Sequence, residues 1–162
     1  QASALNNLNH YFMRTRLKHI ITSALLLLPN ALFAQLTLEQ QDSIARNLSP
    51  LPDSAIVYIM RPDFLAMAIR MDLSCDSVYI GTTSPYRYIY TVLAPGTHKI
   101  LSRSENKFYL DITVEANKIY YVQQQAKMGA FYARTKLNPV DEETGKKMLS
   151  KCKLDHTNLH SY

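Results

Sequence analysis

Tyr86, Tyr88 and Tyr90 alternate with Arg87 and Ile89. On a β-strand that spacing projects all three rings from one face. A row of phenols offers apolar area rimmed with hydroxyls, which suits stacking on a sugar or docking against a protein. The same row serves equally as packing against a second layer. His98 follows Pro95-Gly96 and is the only histidine between residues 54 and 153. Tyr86, Tyr88, Tyr90 and His98 are therefore the candidate ligand-binding residues.

Catalytic chemistry is poorly provided for. A nucleophile needs a base oriented by a third group, and the chain has no Gly-x-Ser-x-Gly elbow. A histidine after a tight turn ordinarily stacks on an aromatic neighbour, so no catalytic residue is assigned. Asp63, Asp72, Asp76 and Asp111 are the acids on which a hydrolase would draw. Two of them would have to stand about 5–10 Å apart in a cleft, whereas scattered acids are usually solvated. Gly-rich phosphate loops are absent, and four glycines leave little room for one. Cys152, His156 and His160 are spaced four apart, as zinc ligands on one helix face would be. Asp155-His-Thr-Asn158 is a poor helix interior, however, and neither a metal nor a cofactor is expected. Asp42-Ser-Ile44, Asp53-Ser-Ala55 and Asp76-Ser-Val78 fit a short O-glycosylation pattern of exported proteins, and equally fit ordinary turns.

The elements that must position these residues follow from the rest of the chain. Its 162 residues, 47% hydrophobic and 19% charged, suffice for one domain with a buried core. The formal charge of +5 is unevenly placed, because residues 1–34 hold Arg14, Arg16 and Lys18 and no acid. The remainder is close to balance, which excludes a nucleic-acid partner. Met13-Arg-Thr-Arg-Leu-Lys-His19 is basic, and Ile20 to Leu28 is apolar except for Thr22 and Ser23. Small residues then precede Gln35. Such a segment reads as a secretory signal peptide cut between Ala34 and Gln35, too short to span a bilayer. Residues 1–12 are read as upstream translation, 13–34 as signal and 35–53 as a leader with a short helix over 38–47. The protein is thus expected in the periplasm or secreted, with no integral membrane segment after cleavage. Cys75 and Cys152, both downstream of the cut, are expected to form a disulfide in that oxidising compartment.

From Ser54 the pattern is that of strands. Ala55–Met60 is apolar on both alternating faces, as expected of a strand covered on both sides. Leu65–Leu73, Val78–Ile80, Tyr86–Leu93, His98–Ser102, Phe108–Val114, Ile119–Gln125 and Phe131–Leu137 complete a run of short strands separated by turn residues. About seven antiparallel strands in a β-sandwich result. Asn138-Pro139 ends the last strand, and Asp141-Glu-Glu143 followed by Lys146 and Lys147 matches a helix dipole. Val140, Met148 and Leu149 would dock that helix. The sandwich with its helix is assigned to 54–153, and 154–162 to a polar, loose tail.

Val57-Tyr-Ile-Met-Arg-Pro62, Gly81, Pro85-Tyr-Arg-Tyr88 and Leu93-Ala-Pro-Gly-Thr-His98 occur in a characteristic order. Tyr120-Tyr-Val122, Lys127-Met-Gly129, Ala133-Arg-Thr-Lys-Leu137 and Gly145…Leu149-Ser-Lys-Cys-Lys153 continue it. Over about residues 54–153 the chain resembles the exported bacterial family known as domain of unknown function 2846. The resemblance implies a small prealbumin-like β-sandwich with no assigned activity. Relatives often turn with Asp-Gly where this chain has Asp76-Ser77, and Ser disfavours the positive φ of a type I′ turn. Together these features suggest an exported, non-catalytic module whose partner is an envelope protein or glycan, or an extracellular ligand. An envelope hydrolase and an accessory subunit of an envelope complex are the alternatives. Exported protein is expected to begin at Gln35; its intact mass checks this, and recovery of residues 13–34 in the folded protein would refute the cleavage.

Overall fold

The computed structural model describes residues 36–131 and 133–157. The expected signal segment, and the cut expected between Ala34 and Gln35, lie outside those residues. Nine strands form two sheets: β1 (Ala55–Arg61), β2 (Met71–Cys75), β3 (Val78–Thr83), β4 (Arg87–Leu93), β5 (Gly96–Arg103), β6 (Lys107–Val114), β7 (Lys118–Met128), β8 (Ala133–Val140) and β9 (Lys153–Leu154). Helix α1 (Leu38–Arg46) precedes them, and α2 (Glu142–Leu149) lies between β8 and β9. One sheet has the order β8-β7-β1-β4-β9, and the other β3-β2-β5-β6.

The architecture is the expected β-sandwich with a C-terminal helix, with three corrections. Strand pairing is mixed, because β1 runs parallel to β7 and β4 parallel to β9. Leu65–Leu73 is not one strand: 62–70 is a loop, and β2 begins at Met71. The segment after Lys153 is not loose as far as Thr157. Leu154 pairs with Tyr88, Asp155 N–H donates to Tyr88 O, and Thr157 Oγ1 accepts from Thr82 N–H at 2.9 Å.

β1 explains the layering. All seven of its residues are buried. Val57 and Ile59 point between the sheets, where they meet Leu73, Ile89, Ile100, Val122 and Leu137. Ile56, Tyr58 and Met60 point the other way, against Tyr88, Tyr121, Leu149 and Leu154. Burying a Val or Ile side chain contributes about 1.5–3 kcal/mol. Such a strand therefore needs a sheet on one side and helices on the other.

The helices supply that second cover. Asp141 caps α2 by accepting the Thr144 N–H at 2.8 Å, with Glu142 and Glu143 in the first turn as the dipole favours. In α1 the apolar residues Leu38 and Ile44, with Leu48 just beyond, are spaced to form one helical stripe. Instead Ala45 is buried and Leu48 packs beneath, while Leu38 and Ile44 are exposed. Tyr58 decides the helix orientation, since its hydroxyl donates to Ala45 O at 2.5 Å and needs the helix backbone close.

Gly145 lies within α2, where Ala would ordinarily gain about 1 kcal/mol of helix propensity. A Cβ there would run into the Tyr121 ring, which is itself stacked on Tyr58 at 5.7 Å. Overpacking costs about 1–3 kcal/mol, so the clash outweighs the propensity. Gly145→Ala should accordingly lower the chemical denaturation midpoint; a raised midpoint would show that α2 is not seated on β7.

Candidate functional site

Two ends of the sandwich carry unusual side chains. The first is the β2–β3 hairpin. Asp76 and Ser77 form its two-residue turn, with φ of 48° and 70°. That is the left-handed pair a type I′ turn needs, so the turn forms although Ser disfavours positive φ. Neighbouring β5 holds it in place: Asp76 N–H donates to Lys99 O at 3.0 Å, and Asp76 Oδ1 accepts from Lys99 N–H at 2.9 Å.

These contacts aim the other carboxylate oxygen at His98, whose Nδ1 lies 2.6 Å from Asp76 Oδ2. Nε2 of the same ring is 2.8 Å from Ala94 O, to which it donates. His98 is on the face of β5 shared with Ile100, and Ile100 pairs with Cys75. The thiol is thereby brought to the same place. One ligand atom each from Cys75, Asp76 and His98 lies within 4.8 Å of the others. The hydrogen bond from Lys99 and the contact with His98 hold Asp76 below the usual carboxylate range, and Asp76 in turn raises His98. Burial, helped by Asp76, pushes the Cys75 thiol up to about 11. The cluster offers one nitrogen, one sulfur and one oxygen donor.

The second end lies across the length of β2, where loops 62–70 and 129–131 meet. Phe64, Leu65 and Met67 are exposed on the first, and Met128 (83%) and Phe131 (89%) protrude beside the second. Both loops are held from beneath. Arg61 is fully buried and donates to the carbonyls of Ile69 at 2.6 Å and of Leu65 and Ala66 at 2.8 Å each. Glu105 Oε1 accepts from Ala130 N–H at 3.2 Å and Oε2 from Phe131 N–H at 3.4 Å. A small core of Met71, Ala126 and Ala133 packs against Ala66 and Ile69. Leu65, Ile69, Met128 and Phe131 line a shallow groove between the loops. Lys127 lines it too, and Arg70 and Arg134 are exposed next in sequence to Ile69 and Ala133. Among the described residues no helix is long and apolar enough to cross a membrane.

Residues 52–136, which include both ends, match the family described as "Protein of unknown function (DUF2846)". A relative from Haemophilus influenzae, described as "Uncharacterized protein", is 34% identical over 146 residues, covering 88% of this chain and 87% of its own. The chain belongs to the DUF2846 family. No solved structure matches it.

Against this DUF2846 framework the expected site residues disperse. Tyr88 and Tyr90 are buried in the helix-side core, 5.9 and 6.1 Å from the Tyr58 ring, so they present no stacking surface. Tyr86 is exposed, but it precedes β4 with φ of 57° and does not continue their row. Tyr88 and Tyr90 instead pack beside Tyr58 on the face of the sheet that the helices cover. His98 meets a carboxylate rather than an aromatic ring. The expected disulfide is overturned: Cys75 belongs to the core between the sheets and Cys152 to the core under the helices, and both thiols are free. Each cysteine there acts as a small buried hydrophobe on its own side of β1's sheet.

The remaining candidates are likewise absorbed. Cys152 is buried while His156 is exposed beside Asp155; His160 lies outside the described residues. Of the four acids, Asp63 faces Arg61, Asp72 Arg103, Asp76 His98 and Asp111 Lys99, so each stands against a base. Among the Asp-Ser pairs, Ser54 is buried, whereas Ser43 and Ser77 are exposed. The partnership of Cys75-Asp76 with His98 escaped sequence reading because it depends on a β2–β5 pairing 23 or more residues apart. Only the joint observation of an Asp-led turn and a histidine two residues before a core position hinted at it.

The Ser77 conformation has a measurable consequence. A left-handed non-glycine residue costs roughly 1–2 kcal/mol, against about 0.5–1 for the extra chain entropy of Gly. Ser77→Gly should therefore stabilise the protein by up to about 1 kcal/mol, read as a higher urea midpoint with unchanged slope. An unchanged or lower midpoint would show that the turn is not left-handed at Ser77.

Proposed function

We propose that this protein is an exported, non-catalytic β-sandwich that docks on an anionic membrane surface through its apolar loop end. The observation that carries this reading is the protrusion of Phe64, Met67, Met128 and Phe131 from two loops anchored from below. Large exposed apolar patches mark interaction surfaces, and these side chains stand on framework contacts rather than on slack chain. Lys127 lines the groove, Arg70 and Arg134 are exposed next in sequence to Ile69 and Ala133, and a basic side chain near an anionic surface is worth about 1 kcal/mol. Charge complementarity thus favours a lipid surface over an apolar protein groove. Partial insertion of a few apolar tips plus this attraction amounts to reversible, peripheral attachment. The basic and apolar segment over 13–34 supports the reading, because export would place the folded domain beside the envelope membranes.

Sedimentation with vesicles of phosphatidylethanolamine and phosphatidylglycerol tests the proposal. The chain beginning at Gln35 should bind them, more weakly as salt is raised. Phe131→Asp combined with Met128→Asp should reduce binding at least ~10-fold while leaving the denaturation midpoint near wild type, since both positions are exposed. Equal binding by the double variant would refute the loop end as the docking surface. Failure to bind vesicles, with photocrosslinking from position 131 to an envelope protein, would replace the lipid partner by a protein.

A further inference from the structure

We propose that Cys75, Asp76 and His98 form a binding site for a zinc-class divalent transition-metal ion, with water in the solvent-facing fourth position. The three donor atoms already lie within 4.8 Å of one another. Zinc takes sulfur at about 2.3 Å and nitrogen or oxygen at about 2.0–2.2 Å, which puts tetrahedral donors roughly 3.3–3.8 Å apart. The 2.6 Å approach of Asp76 to His98 must then open by about 1 Å. Asp76 can provide that movement, because its side chain is half exposed at a hairpin tip.

The imidazole is already held in the orientation a metal ligand needs. Its Nε2–H is committed to Ala94 O at 2.8 Å, which leaves Nδ1 to face Asp76 Oδ2. A backbone carbonyl on the far nitrogen is the usual partner of a metal-bound histidine. Two bare acceptors do not rest 2.6 Å apart, so a positive species belongs between Nδ1 and the carboxylate, either a proton or a metal ion. The Cys75 sulfur beside the pair points to the metal, because it completes a set of three donor atoms within 4.8 Å of one another. A metal uses all three groups: Cys75 gives up its S–H proton to solvent, Nδ1 supplies a lone pair, and the carboxylate supplies an oxygen.

The donor set also selects the ion. Sulfur with imidazole and one carboxylate suits zinc and its neighbours rather than calcium or magnesium, which take oxygen ligands. The other thiol, Cys152, is in no such cluster among the described residues: it is buried beneath the helices, and its own backbone carbonyl accepts from Arg46.

Cobalt(II) serves as the spectroscopic probe on the full chain from Gln35. Wild-type protein should show tetrahedral d–d bands and a near-ultraviolet thiolate-to-cobalt charge-transfer band, both displaced by zinc. Cys75→Ser should abolish the charge-transfer band. His98→Gln and Asp76→Asn, at positions outside the core, should keep the fold and weaken zinc binding more than ~10-fold. His156→Ala should leave binding unchanged. Added zinc should raise the Tm of wild type but not of His98→Gln. Absence of the charge-transfer band in wild type would overturn the proposal, leaving a proton-only clamp. So would affinity insensitive to His98→Gln and Asp76→Asn, or lost with His156→Ala.

Discussion

A strand buried on both faces cannot exist at the surface of a two-layer protein, and β1 is such a strand. Its odd and even residues belong to different cores, so β1 must be sandwiched three layers deep. Everything on the helix side follows from covering Ile56, Tyr58 and Met60. α1 and α2 are short, and isolated helices of that length are marginal in water. They persist because the sheet beneath them is apolar and because Arg46 ties them together. Its guanidinium pairs with Asp42 at 2.8 Å within α1 and donates to Leu149 O at 2.7 Å and to Cys152 O. Those carbonyls lie at or just beyond the C-terminal end of α2, where helix geometry leaves acceptors without intrahelical donors. Asp42 Oδ1 in turn accepts from Leu154 N–H at 2.7 Å, which fixes β9 beside β4.

The other face of β1 is not purely apolar. Toward the loop end, Gln124 is fully buried and donates to Ser102 Oγ at 2.8 Å, Ser102 shares a hydrogen with Thr135 at 2.6 Å, and Thr83 donates to Gln124 Oε1. Thr83, Gln124, Ser102 and Thr135 come from β3, β7, β5 and β8, so one connected chain of polar groups joins the two sheets. A satisfied buried network costs little relative to a half-satisfied one and accepts few alternative registers. Beside it, Arg61 spends its hydrogen bonds on loop carbonyls rather than on a close acid, with Asp63 no nearer than 4.0 Å. The register of both sheets and the shape of the loop end are thus set by the same buried polar layer.

Local pattern made much of this legible. The both-faces apolar run of β1, the short strand over Phe108–Val114 and the charge order of α2 each correspond to an observed element. What local pattern could not convey was pairing at a distance. The parallel β1–β7 contact joins residues more than 60 positions apart, and nothing in either strand marks a parallel neighbour. The same limit explains the tyrosines. Alternation placed Tyr88 and Tyr90 on one face correctly, yet whether that face meets solvent depends on helices contributed from both ends of the chain. It explains the cysteines too, because parity counts thiols without knowing on which side of a sheet each one stands. At Asp76-Ser77 intrinsic preference was overruled, since two bonds to Lys99 and the contact with His98 hold a turn that Ser alone disfavours.

The two unusual ends are joined by β2, five residues long, so they stand about 13–17 Å apart on a rigid strand. Met71 roots one end in the small core beneath the apolar loops, and Cys75 roots the other in the donor cluster. Between them Leu73 is locked in the main core. β2 is paired along its length with β3 on one side and β5 on the other, so it holds one position in its sheet. The sandwich thereby separates the Cys75–Asp76–His98 tip from an apolar tip, each with its own anchoring hydrogen bonds, and the length of β2 sets the distance between them.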